Sequence, residues 1–450
     1  MKKKKHENKT KETLQRKFLF FGRNSNIHGL RFIVQENEHP ISRIFWLLIV
    51  AGSGGCLYLL LLSIVAHNEH ISFTPDTLYL DWTTMFPAVT ICELYTDYGY
   101  KDALDKFQRL YPELFKSANY DLKKRLTSVL FNEGRCNKRG LCAPCGDGVP
   151  CGDGVPCDLA WRNISERIRM KCEALVWECS YNGRGFPCCR HFVAVDSAKG
   201  PCFALNSMHT NIPKEAKSFV VNRTTGPGIL KFKANTITMY VHSPEELATQ
   251  YLDPKLSYNV FERVRRVDFV VAVAEMGNDA ALYHEDIHSR QCRYPDEVPR
   301  SFIHSYKAYS YGACRLASDT EMLYNHCGCV HPVRDLRYKE KFCNYTGINC
   351  LDTYKTQMEE MDTEDTCLPS CVEMELKLIH IEETLRETGD DSDTVVTIRM
   401  ASLPTLRYVR HLLRTNLDLV VSIGGLAGLF FGASILSVVE TFYLILRKPS

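Results

Sequence analysis

The chain has 450 residues, 45% of them hydrophobic and 24% charged, with 20 cysteines and a net charge of only +2. Its length exceeds a usual single domain, which predicts a compound architecture. The near-neutral charge argues against nucleic acid as a partner, and so many cysteines point away from a reducing compartment.

Residues 1–43 open with MKKKK and hold eleven Lys or Arg against four Glu. They read as a basic cytoplasmic segment. Residues 44–66, IFWLLIVAGSGGCLYLLLLSIVA, are apolar enough to span a bilayer, which takes about 20 residues of helix. The stretch begins too far into the chain and runs too long for a secretory signal, so it stays in the mature protein. Cys56 lies within it, and the other cysteines all fall in residues 67–416. The sequons at Asn163, Asn222 and Asn344 fall there too, as expected of an extracellular glycosylated region in an oxidising compartment. A fourth, at Asn8, would be cytoplasmic and unused.

Within residues 67–416, YKDALDKFQRLYPELF and SERIRMKCEALVWECS have helical spacing of apolar positions. KSFVVNRTT, GILKFKANTITMYVHS and RRVDFVVAVAEM read as strands. IHIEETLRET reads as a solvated helix or a strand edge. The sum is a disulfide-rich α+β domain. CGDGVPCGDGVPC (Cys145 to Cys157) repeats a six-residue unit, each copy adding one cysteine, which accounts for an odd cysteine number. Asp147 and Asp153 do not match calcium-loop spacing, and glycine–proline turns explain the composition without a metal.

HEDIH, His284 to His288, fits the H-E-x-x-H pattern of a zinc peptidase with Glu285 as the base. That chemistry needs a helix and a third ligand, and no further histidine follows at metzincin spacing. A membrane-anchored zinc peptidase built on His284, Glu285 and His288 is the alternative from another class. The preferred reading is not an enzyme and carries no metal or cofactor.

A second apolar span is expected over residues 417–446, with a cytoplasmic tail at 447–450. Both basic tails then lie inside, giving a multi-pass plasma-membrane protein in contact with lipid. Gly424, Gly428 and Gly432 form two G-x-x-x-G units, the ordinary signature of close helix packing. Ser434 and Glu440 fit a second role, because an ionisable residue inside a span usually faces the bundle interior or water.

Three motifs in order, NIHGLRFI with His28-Gly29, FPAVTIC (Phe86 to Cys92) and GGLAGLFFGASILSVVE, resemble the epithelial sodium channel/degenerin family. QCRYPDE and the cysteine pattern are most similar to its insect pickpocket branch. The resemblance implies a homo- or heterotrimer with related subunits, each chain having two spans and a palm, β-ball, knuckle, finger and thumb. It implies a sodium-selective channel blocked by amiloride-like cations. Gly432, Ala433 and Ser434 would form the filter, and His28, Gly29, Val421, Gly424, Gly425, Gly428 and Glu440 would act in the pore or its gating. It also implies disulfides Cys92–Cys202, Cys292–Cys371, Cys314–Cys367, Cys327–Cys350 and Cys329–Cys343, and Cys179 with Cys188 or Cys189. The pairing of Cys136 to Cys172 stays open. Where many members have a further bridge, this chain has Ser318 and Asp365. At Val421 the family usually has a small residue, and bulk there favours an open pore, so either a standing current or compensating neighbouring changes are expected, with a lipid-facing valine as the plain alternative. Glu245, Glu246, Glu297, Asp319 and Glu321 are candidates for proton-sensitive pairs, although Tyr294 replaces the thumb-base Trp of acid-sensing members. The stimulus is left open. An ATP-gated trimeric receptor of the same two-span plan and a non-conducting chemoreceptor subunit are the remaining alternatives.

Overall fold

The structure, a computed structural model, describes residues 19–35, 37–66, 71–76, 82–94, 97–116, 118, 120–131, 159–211, 219–302, 306–332, 341–344, 347–348, 350–351, 354, 367–387, 393–404, 407–412 and 416–446. The CGDGVP repeat with Asp147 and Asp153, the cysteines from Cys136 to Cys157, Asn8 and Asp365 lie outside these. The main elements begin with α1 (Leu30–Val34), α2 (Pro40–Ala66), β1 (Ile71–Asp76), β2 (Thr84–Met85), β3 (Ala88–Glu93), α3 (Asp97–Leu110), α4 (Pro112–Lys116), α5 (Tyr120–Val129), α6 (Trp161–Ile168) and α7 (Cys172–Leu175). They continue with β4 (Val176–Tyr181), β5 (Arg184–Phe186), α8 (Cys188–His191), β6 (Val193–Ser197), β7 (Gly200–Leu205), β8 (Val220–Val221), β9 (Ile229–Ala234), β10 (Ile237–His242), β11 (Ser257–Val260) and β12 (Val264–Asn278). The remainder are α9 (Ala280–Tyr283), α10 (Ile287–Arg290), α11 (Tyr311–Cys327), β13 (Glu373–Leu385), β14 (Thr394–Met400), β15 (Arg407–Leu412), α12 (Asn416–Phe431) and α13 (Ile435–Leu446).

The chain divides into two units, Met1–Ser72 with His411–Ser450, and Phe73–Arg410. In the first, α2 is apolar around its whole circumference. Leu48, Tyr58 and Leu59 are each more than 60% exposed, as suits lipid and not water. Over Pro40–Ser63 it is long and apolar enough to cross a membrane. Leu417–Phe431 and Ile435–Leu444 meet the same test only as a pair, bent by 66° at the break between them. The second span expected over 417–446 consists of two helices in the structure.

The second unit is a disulfide-rich α/β structure. One sheet runs β1-β15-β12-β14-β9-β4-β5 with β13 on the other side of β12; a second runs β11-β10-β3-β7-β6; β2 pairs β8. FPAVTIC forms the heart of the second sheet, and every residue of β3 is buried. β3 pairs antiparallel with β10 and β7. Phe86, Val89 and Ile91 share one apolar core with Leu230, Phe232, Phe269, Val271, Val396 and Ile398. A separate helical core joins Phe107, Phe115, Leu126 and Leu130 to Trp161, Ile164 and Ile168. Burial of this apolar area is the main source of stability.

Three expected elements differ. YKDALDKFQRLYPELF is split at Tyr111, because Pro112 disfavours a helical residue before it. SERIRMKCEALVWECS is two helices, ending at Ile168 and resuming over Cys172–Leu175, with Arg169 and Lys171 extended between them; Val176 and Trp177 instead pair with Ala234 and Lys233 of β9. Among the described residues of KSFVVNRTT, Val220 and Val221 form a strand, which ends because Asn222 turns the chain by accepting the Thr224 and Thr225 N–H groups at 3.0 and 2.9 Å. IHIEETLRET lies on the exposed edge strand β13 and the residues just after it.

Candidate functional site

The break in the second apolar stretch has a local cause. Gly432 takes φ +64°, the left-handed conformation that stops a helix and that glycine adopts without strain. Its N–H reaches Gly428 O at 2.8 Å, and the Ala433 N–H reaches Ala427 O at 3.2 Å. Ser434 then starts α13. Its Oγ accepts the Ser437 N–H, while Ser437 Oγ accepts the Ser434 N–H, both at 3.2 Å, a reciprocal cap of the S-x-x-E type with serine in place of glutamate. Gly-Ala-Ser is thus a stop, a joint and a start.

The N-terminal segment docks at this joint. The His28 N–H donates to Phe431 O at 3.1 Å, occupying one of the carbonyls that a helix C-terminus leaves unsatisfied. A side chain on Gly432 would place its Cβ 2.6 Å from His28 Nδ1. Gly29 has φ +84°, and an added Cβ would lie 2.8 Å from Val50 Cγ2. Phe32 stacks on Trp46 at 4.9 Å, and Arg43 donates to Gln35 O at 2.8 Å. Asn26 Nδ2 donates to Glu440 Oε2 at 2.6 Å. The structure thus brings His28, Gly29, Gly432 and Glu440 into one neighbourhood. It does not place Val421, Gly424 or Gly425 there: Val421 is 63% exposed, and a Cβ on either glycine would meet nothing within 4 Å. Asn26 and Ser437 were missed. Ser437 was readable from S-x-x-S after a glycine, whereas nothing in the sequence pairs Asn26 with a residue 414 positions away.

In the second unit, the disulfides are Cys92–Cys202, Cys172–Cys189, Cys179–Cys188, Cys292–Cys371, Cys314–Cys367, Cys327–Cys350 and Cys329–Cys343. Cys188 is therefore the partner of Cys179, and Cys172 has a partner of its own. Among the described residues, Cys56 is the free cysteine. Asn163 and Asn344 are exposed and Asn222 is partly so.

The acidic candidates do not form one cluster of free carboxylates. Glu246 accepts from the Ser310 hydroxyl at 2.8 Å and the Gly312 N–H at 3.2 Å, so it caps α11; burial pushes its pKa up. Burial raises Glu245 to about 7. Glu297 pairs with the buried Arg290, and Asp319 accepts the Tyr251 hydroxyl. HEDIH does not make the single helix that zinc chemistry requires. His284 ends α9, and Asp286 caps α10 by accepting the His288 N–H at 3.0 Å. Among the described residues no group of His, Cys, Asp and Glu could hold a metal ion.

Within this unit, the segment carrying Phe73 and Trp82 meets the strand carrying Arg407 and Arg410. The Arg407 guanidinium lies 4.4 Å from the Trp82 ring and its Nε donates to Glu275 Oε2 at 3.0 Å. The Arg410 guanidinium lies 5.5 Å from the Phe73 ring.

An apolar helix, a second one broken at a glycine stop, and a disulfide-braced α/β unit are the features expected of a membrane channel subunit. Residues 21–444 match the amiloride-sensitive sodium channel family. The chain belongs to that family and is a sodium channel subunit. Pickpocket protein 28 of Drosophila melanogaster is 20% identical over 98% of this chain and 80% of its own length. Pickpocket protein 19 of the same species is 22% identical over 94% and 88%. Sodium channel protein Nach of Drosophila ananassae is 22% identical over 97% and 88%.

Proposed function

We propose that the chain assembles as a trimer, alone or with related subunits, into a sodium-selective plasma-membrane channel blocked by amiloride-like cations. Residues 44–66 and the broken helix of 417–446 span the bilayer. Residues 1–43 and 447–450 are cytoplasmic, and 67–416 face outward, glycosylated at Asn163, Asn222 and Asn344. The second span lines the pore, with Gly432, Ala433 and Ser434 as the filter.

The observation that carries this reading is the break at Gly432–Ser434 inside an apolar stretch. Irregular backbone at membrane depth is tolerated only where it lines water or is covered by protein. The C-terminal end of α12 brings the negative end of its dipole to the joint, which favours a cation there. Three such negative ends around an axis would add to the attraction for a cation at the joint. Open space beside Gly424 and Gly425 leaves a small-residue face on which neighbouring copies can approach closely.

The test is whole-cell current from cells expressing the chain, alone and with a related subunit, in external sodium and then in a large impermeant cation, with and without amiloride. The reading expects an inward current that the replacement abolishes and amiloride reduces. Confirmed surface expression with no sodium current in either combination would contradict it.

A further inference from the structure

Two hydrogen bonds from one short turn straddle the break. The His28 N–H reaches Phe431 O on the α12 side at 3.1 Å, and Asn26 Nδ2 reaches Glu440 Oε2 on the α13 side at 2.6 Å. The turn itself is held locally. The Ile27 N–H donates to Ser25 Oγ at 3.3 Å, and the Leu30 N–H donates to Ile27 O at 3.4 Å. It therefore grips both half-helices as one piece.

The residue type at 26 matters chemically. A donor on a carboxylate makes a charge-assisted bond, shorter and stronger than a neutral one. Lysine or arginine would make that bond but cancel the charge. Asparagine fixes the carboxylate and leaves its full negative charge for a cation. We propose that Asn26 is a positioning residue for Glu440, so that docking of the N-terminal segment sets where the inner-mouth charge stands in the ion path. This rests on the reading that α13 lines that path.

The experiment is single-channel recording of sodium current with voltage-dependent block by cytoplasmic magnesium as the probe. Wild type is compared with Asn26→Leu, Asn26→Gln, Glu440→Gln, the double Asn26→Leu/Glu440→Gln, and the exchange Asn26→Asp/Glu440→Gln. Glu440→Gln weakens magnesium block if the carboxylate faces the path. Asn26→Leu weakens it in the same direction, by about three- to tenfold, the range of one ordinary hydrogen bond, because this pair is solvent-exposed. The double variant is no worse than Glu440→Gln alone. Asn26→Gln keeps the donor and retains most of the block. The exchange restores an amide–carboxylate pair with one charge, and with it most of the block.

Normal block in Asn26→Leu beside weakened block in Glu440→Gln would overturn the proposal while leaving the pore reading intact. Strictly additive effects would do the same. Unchanged block in Glu440→Gln would instead remove Glu440 from the ion path. Should a variant fail to conduct, the full chain with Asn26→Cys and Glu440→Cys is oxidised in membranes and digested for peptide mass spectrometry. A linked 26–440 peptide is expected, and its absence overturns the contact.

Discussion

Gly432 meets two demands together, a backbone at φ +64° and a surface pressed by the His28 imidazole. Alanine would meet neither. The left-handed conformation costs a residue with a Cβ about 1–2 kcal/mol, and the collision adds to it. Gly432→Ala is expected to lower sodium current severalfold at equal surface expression. Adding His28→Ala should recover part of the loss, because it removes the collision and not the backbone strain. No recovery in the double variant would contradict the contact. Glu245 carries a different kind of prediction. Its side chain is 3% exposed, and burial holds its folded pKa at about 7 against an ordinary 4.5, with Glu246 and Glu373 adding in the same direction. The folded state thus keeps a proton that the unfolded chain has lost between about pH 4.5 and 7. This contribution to stability is fully present below pH 4.5 and lost as pH rises through 7. Glu245→Gln, which resembles the neutral form, should raise the melting temperature at pH 8 and leave it nearly unchanged below pH 4.5, a difference worth roughly 3 kcal/mol. The buried His209 and His242, both lowered to about 4, act oppositely, losing stability as pH falls from 6.5 to 4. The prediction is therefore read as variant minus wild type.

At the scale of elements, β15 is anchored through its arginines. Arg407 is held between Glu275 and the Trp82 ring, and Arg410 lies over Phe73. Arg407→Met would leave Glu275 without its cation in a mostly buried site, at a cost of about 1–3 kcal/mol. Trp82→Leu removes only the ring contact, about 0.5–1 kcal/mol. Thermal unfolding of the purified protein should rank Arg407→Met as the larger loss; the reverse order would assign the anchor to the ring. Element reading from sequence succeeded where one periodicity dominated. RRVDFVVAVAEM became β12, and GILKFKANTITMYVHS became β9 and β10 joined at Asn235 and Thr236. It failed in SERIRMKCEALVWECS, where helical spacing continues into residues that pair with β9, a long-range contact that local pattern does not encode. At Gly432–Ser434 apolar composition hides a break that is nonetheless written locally, as a glycine stop followed by a serine cap.

For the whole molecule, two apolar stretches and a cysteine-rich middle are visible in composition alone, and the motif order adds the family. The proximity of His28 to Gly432 was accessible only through resemblance, and that of Asn26 to Glu440 not at all, because both join residues some 400 positions apart through the folded chain. Val421 tests the assembled channel: replaced by alanine or glycine, it should reduce any standing current, and an unchanged open fraction would remove bulk at this position as a cause of opening. The central claim is that ions pass the broken joint of the second span. The direct measurement is the reversal potential with external sodium and internal potassium, in wild type and Ser434→Cys, followed by application of cadmium. A positive wild-type reversal potential, moved toward zero in Ser434→Cys together with new cadmium block, is the predicted result. A reversal potential unaffected by the substitution, with no cadmium block, would place the ion path elsewhere.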